Sequence, residues 1–173
     1  MRQAAEERYR QHRRTAFREA EQWLTEAGTV NPDEVELGEI PLLTLQVTTL
    51  TWASHPNRRV GWDWTQLVSR LRQSHPSRFE LAIIVGNQVC ALALGKPSKS
   101  RSHCSLDFVE GSPDPKHALK GKVLAVVITA LSRYCVVIGA PEMRIVEALP
   151  GAVSLYTDKF GFAVARGADG RPY

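Results

Sequence analysis

No stretch of the 173-residue sequence reaches the roughly 18 continuous apolar residues of a membrane span. The N-terminus is Arg-rich with no apolar core behind it, so a secretory signal is not expected and a cytoplasmic protein is the default. Cysteine is scarce. Cys90, Cys104 and Cys135 form an odd set, match no zinc spacing and lie in apolar runs. Buried thiols in a reducing compartment are expected, not disulfides or a metal site. The Walker pattern G-x-x-x-x-G-K-S/T and the Rossmann pattern G-x-G-x-x-G are both absent, so neither common glycine-loop fingerprint for nucleotides applies. There is no internal repeat and no low-complexity segment.

What is present suits one globular domain, residues 1–173, with a sizeable core. Apolar residues make up 43% and charged residues 23%, ordinary for a globular chain. The net charge of +4 and pI of about 9.1 suit an anionic ligand without demanding nucleic acid.

Residues 3–27 predict a helix: good helix formers run unbroken to Gly28, with Tyr9, Ala16, Phe17, Ala20, Trp23 and Leu24 on one stripe. Arg8, Arg10, Arg13, Arg14 and Arg18 crowd its first half. They make either a solvated face or a surface for an RNA or protein partner. Residues 40–52, rich in β-branched side chains, predict a strand. Asp63 is a plausible N-cap for a helix over 62–74. Leu81–Val85 and Val89–Leu94 flank Gly86-Asn87, a two-residue hairpin signal, and Ser105–Glu110 completes an antiparallel meander. Val123–Ile138 predicts a buried helix ended by Gly139. Met143–Ala148 predicts a strand, Pro150–Lys159 a short helix and Gly161–Arg166 a last strand. That exposed last strand and the long first helix leave room for a homodimer.

One step in this order carries chemistry. A strand feeds the turn-forming, basic loop 111–122, which opens the buried helix. The first turn of a helix has unpaired N–H groups and a dipole that favours an anion. Gly121 allows close backbone approach, and Lys116, His117, Lys120 and Lys122 add positive charge. The loop is suited to a pyrophosphate; equally, it can be an ordinary basic connection.

The segment Met143–Phe162 resembles the closing part of the GNAT N-acetyltransferases, a strand followed by a helix of the form N-x-x-A-x-x-L-Y-x-x-x-G-F. Ala152, Leu155, Tyr156, Gly161 and Phe162 match its anchors. The loop Ala118–Val123 then falls where that family has Q/R-x-x-G-x-G/A, with Gly121 retained, Ala118 replacing Gln or Arg, and Val123 replacing the last small residue. Leu149 stands where the strand's Asn is usual. The resemblance spans residues 80–166. It implies an α/β (α+β) fold: a mixed, mostly antiparallel central sheet flanked by helices and splayed at the cofactor strand.

It also implies acetyl-CoA as co-substrate, with no metal. The pantetheine arm would pair with the backbone of Leu106–Glu110, Phe108 and Val109 included. The pyrophosphate would sit at Lys120, Gly121, Lys122 and Val123, with Lys116 and His117 nearby. Tyr156 would be the general acid. One residue more than usual separates it from Gly161, which in a regular helix turns it by about 100°. Asp107, Glu110 and Glu147 are candidates for the base. A regular strand would put Asp107 and Glu110 on opposite faces, so that only one meets the cleft; either could instead face solvent or cap the loop. For the acceptor, Trp52 and Trp62 beside His55, Arg58 and Arg59 form either a binding surface or core anchors, and Trp64 reads as core. The activity implied is acetyl transfer to an amine. A GNAT fold without catalysis, or a toxin-like enzyme acting on aminoacyl-tRNA, are the alternatives.

Overall fold

In the computed structural model, which describes residues 1–165, five strands form one sheet in chain order: β1 (Val35–Gly38), β2 (Phe79–Val85), β3 (Gln88–Pro97), β4 (His103–Gly111) and β5 (Glu142–Ile145). The first four are antiparallel, and β5 runs parallel to β4. A parallel neighbour needs a crossover. The buried helix α4 (Val123–Ile138) supplies it. Together with α1 (Arg2–Glu26), α4 covers one face of the sheet. Helices α2 (Leu42–Thr51) and α3 (Trp64–Ser74) cover the other. The mixed, mostly antiparallel sheet flanked by helices is the architecture the sequence implied.

Local signals explain most elements. Asp63 Oδ1 accepts from the Gln66 N–H at 3.0 Å, capping α3. Gly86, at φ +59°, turns the β2–β3 hairpin. Gly139, at φ +74°, caps α4. All three cysteines are buried and reduced.

Residues 40–52 are not a strand. From Leu42 to Thr51 they form α2, and the inward positions Thr44, Leu45, Thr48 and Trp52 recur at helical spacing. Its threonines disguise a helix as a β-rich run. Thr48, Thr49 and Thr51 each donate their hydroxyl to the carbonyl four residues back, at 2.7, 2.9 and 2.7 Å, which satisfies them within the helix. Strand β1 has no counterpart among the sequence expectations, because its alternation of buried Val35 and Leu37 is too short to register.

The C-terminal part also differs. The strand expected over Met143–Ala148 stops at Ile145, just before Glu147 at φ +51°, a left-handed conformation that breaks extended backbone. The helix expected over Pro150–Lys159 is a 3-10 turn at Pro150–Ala152 followed by a π turn at Leu155–Lys159. Residues 161–165 of the expected last strand form no strand; Arg166 lies outside the described residues. Gly161 is left-handed at φ +70°, and the Phe162 N–H returns to the Tyr156 carbonyl at 3.1 Å, folding the chain back on the turn instead of extending it.

The N-terminal arginines are partly consumed by the fold. Arg13 is fully buried and donates to Glu39 (2.5 Å), Glu6 (2.9 Å) and the Pro76 carbonyl (3.0 Å). The adjoining Arg78 donates to Glu80 (2.6 Å) and Glu6 (2.8 Å), and Arg72 also binds Glu80. This network ties α1 to α3 and to the start of β2. Arg8, Arg14 and Arg18 remain exposed.

Candidate functional site

Strands β4 and β5 pair only from His103 opposite Glu142 to Leu106 opposite Ile145. The last bond between them runs from the Val146 N–H to the Leu106 carbonyl, 3.1 Å. Beyond it β4, among the described residues, continues without a neighbour on that side to Gly111, held by β3 on its other side. Ser112 N–H donates to the Cys90 carbonyl at 2.8 Å, so Phe108 and Glu110 turn their main-chain groups to β3. Those of Val109 are left facing the open side. The splay expected at the cofactor strand is therefore present.

A β-bulge sits at the point of divergence. Gly95 pairs with Leu106 and Leu94 with Phe108, so Asp107 is the extra residue. Cys104 and Leu106 face the α1/α4 core, whereas Phe108 packs on the α2/α3 side. Asp107 lies 3.5 Å from Lys96 Nζ, on that same side, since Lys96 shares the face of Leu92 and Leu94. Gly95 makes this crossing possible. A Cβ on it would stand 2.0 Å from the Ser105 carbonyl oxygen. The bulge also corrects the expectation of opposite faces: Asp107 and Glu110 share one.

Glu110 is buried and fully engaged. Its oxygens accept from Arg58 Nε (2.8 Å), Arg58 Nη2 (3.1 Å) and Trp64 Nε1 (2.6 Å). Arg58 also donates to the Trp62 carbonyl at 2.8 Å, and the Glu110 carboxylate raises its pKa against the effect of burial. This pins the 53–63 loop onto β4. Trp62 packs edge-on against Phe108, 5.2 Å between ring centres. Trp52 and Trp64 are buried in the core, Trp62 and His55 are half-buried, and Arg59 is exposed.

The loop after β4 leads to an α4 N-terminus without a side-chain cap. Gly121 is left-handed at φ +77° and Lys122 holds the N-cap position. Lys116 and Lys120 are exposed; Lys122 reaches away to the Thr29 carbonyl at 3.2 Å. Gln88 ties the loop to the hairpin, donating to Asp114 (3.2 Å) and accepting from the Ala118 N–H (3.3 Å). His117 is buried, and among the described residues its Nδ1 has no hydrogen-bond partner. Burial, with the nearby Lys120 charge, lowers its pKa against the pull of Asp114, so its ring is an available acceptor. Val123 is half-buried, and a Cβ on Gly111 would stand 3.5 Å from its Cγ2.

Tyr156 is buried within the π turn, and its ring meets Phe162 edge-on at 5.9 Å. A π turn holds one residue more than an α turn, which takes up the extra residue before Gly161. Burial raises the phenol pKa, so it stays protonated at neutral pH. Among the described residues no side-chain hydrogen bond links Tyr156 to Asp107 or Glu110. Glu147 is exposed.

Arg58, as the partner of Glu110, and Gly95 were not predicted as site residues. Arg58 was expected only with His55 and Arg59 beside Trp52 and Trp62, as an acceptor surface or as part of a loop anchored by core tryptophans, and nothing in the sequence near Gly95 signals its contact with Ser105. Two clefts of about 360 and 620 Å³ are lined by Arg13, Glu39 and their neighbours and contain none of the residues above. Among the described residues no group of three or more His, Cys, Asp or Glu side chains is placed to hold a metal ion, and no helix is long and apolar enough to cross a membrane.

No family model and no curated relative matches the sequence. Solved structures do match the fold. A transcriptional regulator from Bacillus halodurans superposes at TM-score 0.56 and 10% identity, over 78% of this chain and 96% of that one. The aminoglycoside N-acetyltransferase AAC(6')-Iy, crystallised with CoA, superposes at 0.53 and 12% identity, over 78% and 91%. A ribosomal-protein alanine N-acetyltransferase from Escherichia coli superposes at 0.51 and 15% identity, over 80% and 88%. The chain has the GNAT fold.

Proposed function

We propose that this chain binds acetyl-CoA and transfers its acetyl group to an amine. The observation that carries the reading is the free main-chain edge at Val109, which opens beside the β4–β5 parting and leads into the uncapped N-terminus of α4. An extended amide-bearing arm can pair with such an edge, and a pyrophosphate suits the N–H groups of a helix start. In this reading Phe108 and Val109 border the arm. Gly121 and Val123 receive the pyrophosphate through main-chain N–H groups; those of Lys120 and Lys122 already bond the His117 and Leu119 carbonyls at 3.1 and 2.9 Å, so Lys120, with Lys116, adds charge. His117 Nδ1 is a further polar group at hand.

Chemically, the acceptor amine gives up a proton and forms the new C–N bond to the acetyl carbon. The C–S bond breaks, and the thiolate takes a proton from Tyr156, which its raised pKa keeps protonated. Asp107 and Glu110 remain the candidates to accept the amine's proton through water. Asp107 is the freer of the two, since Glu110 is held by three donors.

That engagement of Glu110, with branched Val123 at the loop's last position, favours a second reading: a GNAT-fold module that binds CoA but does not catalyse. Isothermal titration with acetyl-CoA and CoA tests what the two share, and heat with neither sinks both. Release of free thiol from acetyl-CoA in the presence of a panel of amines, lost in Tyr156→Phe, separates them. A toxin-like action on aminoacyl-tRNA would use the exposed Arg8, Arg14 and Arg18. It requires tRNA binding that weakens steeply with salt.

A further inference from the structure

The larger of the two clefts, about 620 Å³, opens between the start of α1, the end of α3 and the turn after β1. That is the size of a small-ligand site. Among the described residues no aliphatic or aromatic residue lines it. Four arginines do, Arg2, Arg10, Arg72 and Arg78, with two carboxylates, Glu6 and Glu39. Both carboxylates are engaged from behind: Glu6 accepts from Arg13 and Arg78, and Glu39 from Arg13. The arginines are not used up in return. Among the described residues each keeps at least one guanidinium nitrogen without a hydrogen bond. Arg72 bonds through Nε and Nη2, leaving Nη1. Arg10 donates from Nη1 to Glu7 at 2.8 Å, leaving Nη2. Arg2 donates from Nη2 to the carbonyls of Arg72 and Gln73, leaving Nε and Nη1. Arg78 donates from Nε to Glu80 and from Nη1 to Glu6, while its Nη2 stands 3.9 Å from Glu39, too far for a bond. The Arg78 side chain is 5% exposed, and what it exposes borders the cleft. Adding Arg13, Glu80 and Glu7, which bond to this set, five arginines meet four carboxylates.

We propose that this cleft binds a small polyvalent oxyanion, of the size of pyrophosphate or a tricarboxylate. Guanidinium groups match phosphate and carboxylate oxygens geometrically, and their bonds to such anions are the strong, charge-assisted kind. Spare nitrogens on four arginines around one space supply the donors, and the surplus of positive charge supplies the attraction. Nothing apolar lines the cleft to hold a nucleobase or an acyl chain, so a compact anion suits it better than a nucleotide. The bound anion would link the start of α1 to the end of α3 through Arg2, Arg10 and Arg72. The cleft lies on the β1–β2 side of the sheet, away from the parting of β4 and β5. The inference is independent of whether the chain transfers acetyl groups.

NMR titration of the full chain with pyrophosphate, and separately with citrate, at fixed ionic strength tests the proposal. At least one of the two should saturate below about 1 mM. It should shift the side-chain Nε–H signals of Arg10, Arg72 and Arg78 and the main-chain signals of Gln3 and Gln73. Saturation by pyrophosphate alone assigns a phosphoryl ligand, and by citrate alone a polycarboxylate. Arg10→Gln removes a side chain whose hydrogen bond is to exposed Glu7, and it should weaken binding about tenfold, the worth of one charge-assisted hydrogen bond. Arg14→Gln, on the same helix but outside this cleft, should change it less than about twofold. Saturation by neither anion up to about 10 mM overturns the proposal. So does an equal loss in the two variants, which would mean diffuse attraction to a basic helix. Shifts confined to Gly121 and Val123 would place the anion at the start of α4, and they also overturn it.

Discussion

Asp107 and Glu110, three positions apart on β4, present their carboxylates on the same face of the sheet. A regular strand would separate them. The extra residue of the bulge reverses the parity, and Gly95 on the neighbouring strand makes room for it, since a Cβ there would sit 2.0 Å from the Ser105 carbonyl oxygen.

Gly95→Ala therefore forces the two backbones apart at the start of the splay. We expect a loss of about 2–4 kcal/mol in unfolding free energy, read from urea denaturation. Gly38→Ala, a glycine with nothing within 4 Å of its added Cβ, should cost less than about 1 kcal/mol. Equal effects of the two substitutions would mean that the β3–β4 approach carries no constraint.

Arg58→Ala should leave Glu110 buried with only the Trp64 indole as donor, and release the 53–63 loop from β4. An unpaired buried carboxylate costs about 3–5 kcal/mol. The double variant Arg58→Ala with Glu110→Gln should recover part of that loss, because the stranded charge is gone. Denaturation curves of the four proteins in the cycle give the coupling. Additive losses would contradict the pairing.

Tyr156→Phe should lower turnover about 10²-fold, in line with losing a proton donor, with the KM for acetyl-CoA held within about twofold. Burial holds the phenol above its ordinary value of 10.0. An acid must be protonated to act, so its contribution should persist through neutral pH and be lost only above the ordinary phenol range. Unchanged turnover in the variant would remove Tyr156 from the chemistry.

The Glu80 network makes stability depend on pH. Burial alone would raise the Glu80 pKa, but hydrogen bonds and charge from Arg72 and Arg78 outweigh it and hold the group below 4.5. Glu6 is lowered by Arg78 and Arg13 against a similar burial effect. Stability from such groups is full above the ordinary carboxylate value and lost as pH falls through the lowered folded values. Glu80→Gln should cost about 3 kcal/mol near neutral pH, and its gap from the unaltered chain should narrow towards about pH 3. A gap constant with pH would show that the charge of Glu80 does not matter.

Much of this was legible in the residues. The hairpin at Gly86-Asn87, the Asp63 cap, the crossover helix and its Gly139 stop are local signals, each set by the conformational limits of one or two residues. The parting of β4 from β5 followed from the resemblance of the Leu155-Tyr156 and Gly161-Phe162 anchors. The α2 helix resembles a strand in its residues because β-branched threonines mimic strand composition, and their satisfaction by backbone carbonyls four residues back exists only once the helix has formed.

The sequence by itself determined the hairpin, the helix stops, the buried crossover helix and the chemistry available near the loop: Gly121, its lysines and a tyrosine before Gly161. Only the tertiary structure decided which of those groups are free. Arg13, an unremarkable member of a basic cluster in the sequence, is buried among carboxylates; Glu110, a candidate base, is bound by Arg58 from 52 positions away; and Asp107 faces the same side as Glu110. Periodicity describes one segment at a time, whereas ion pairing and bulge parity depend on which segments the sheet brings together.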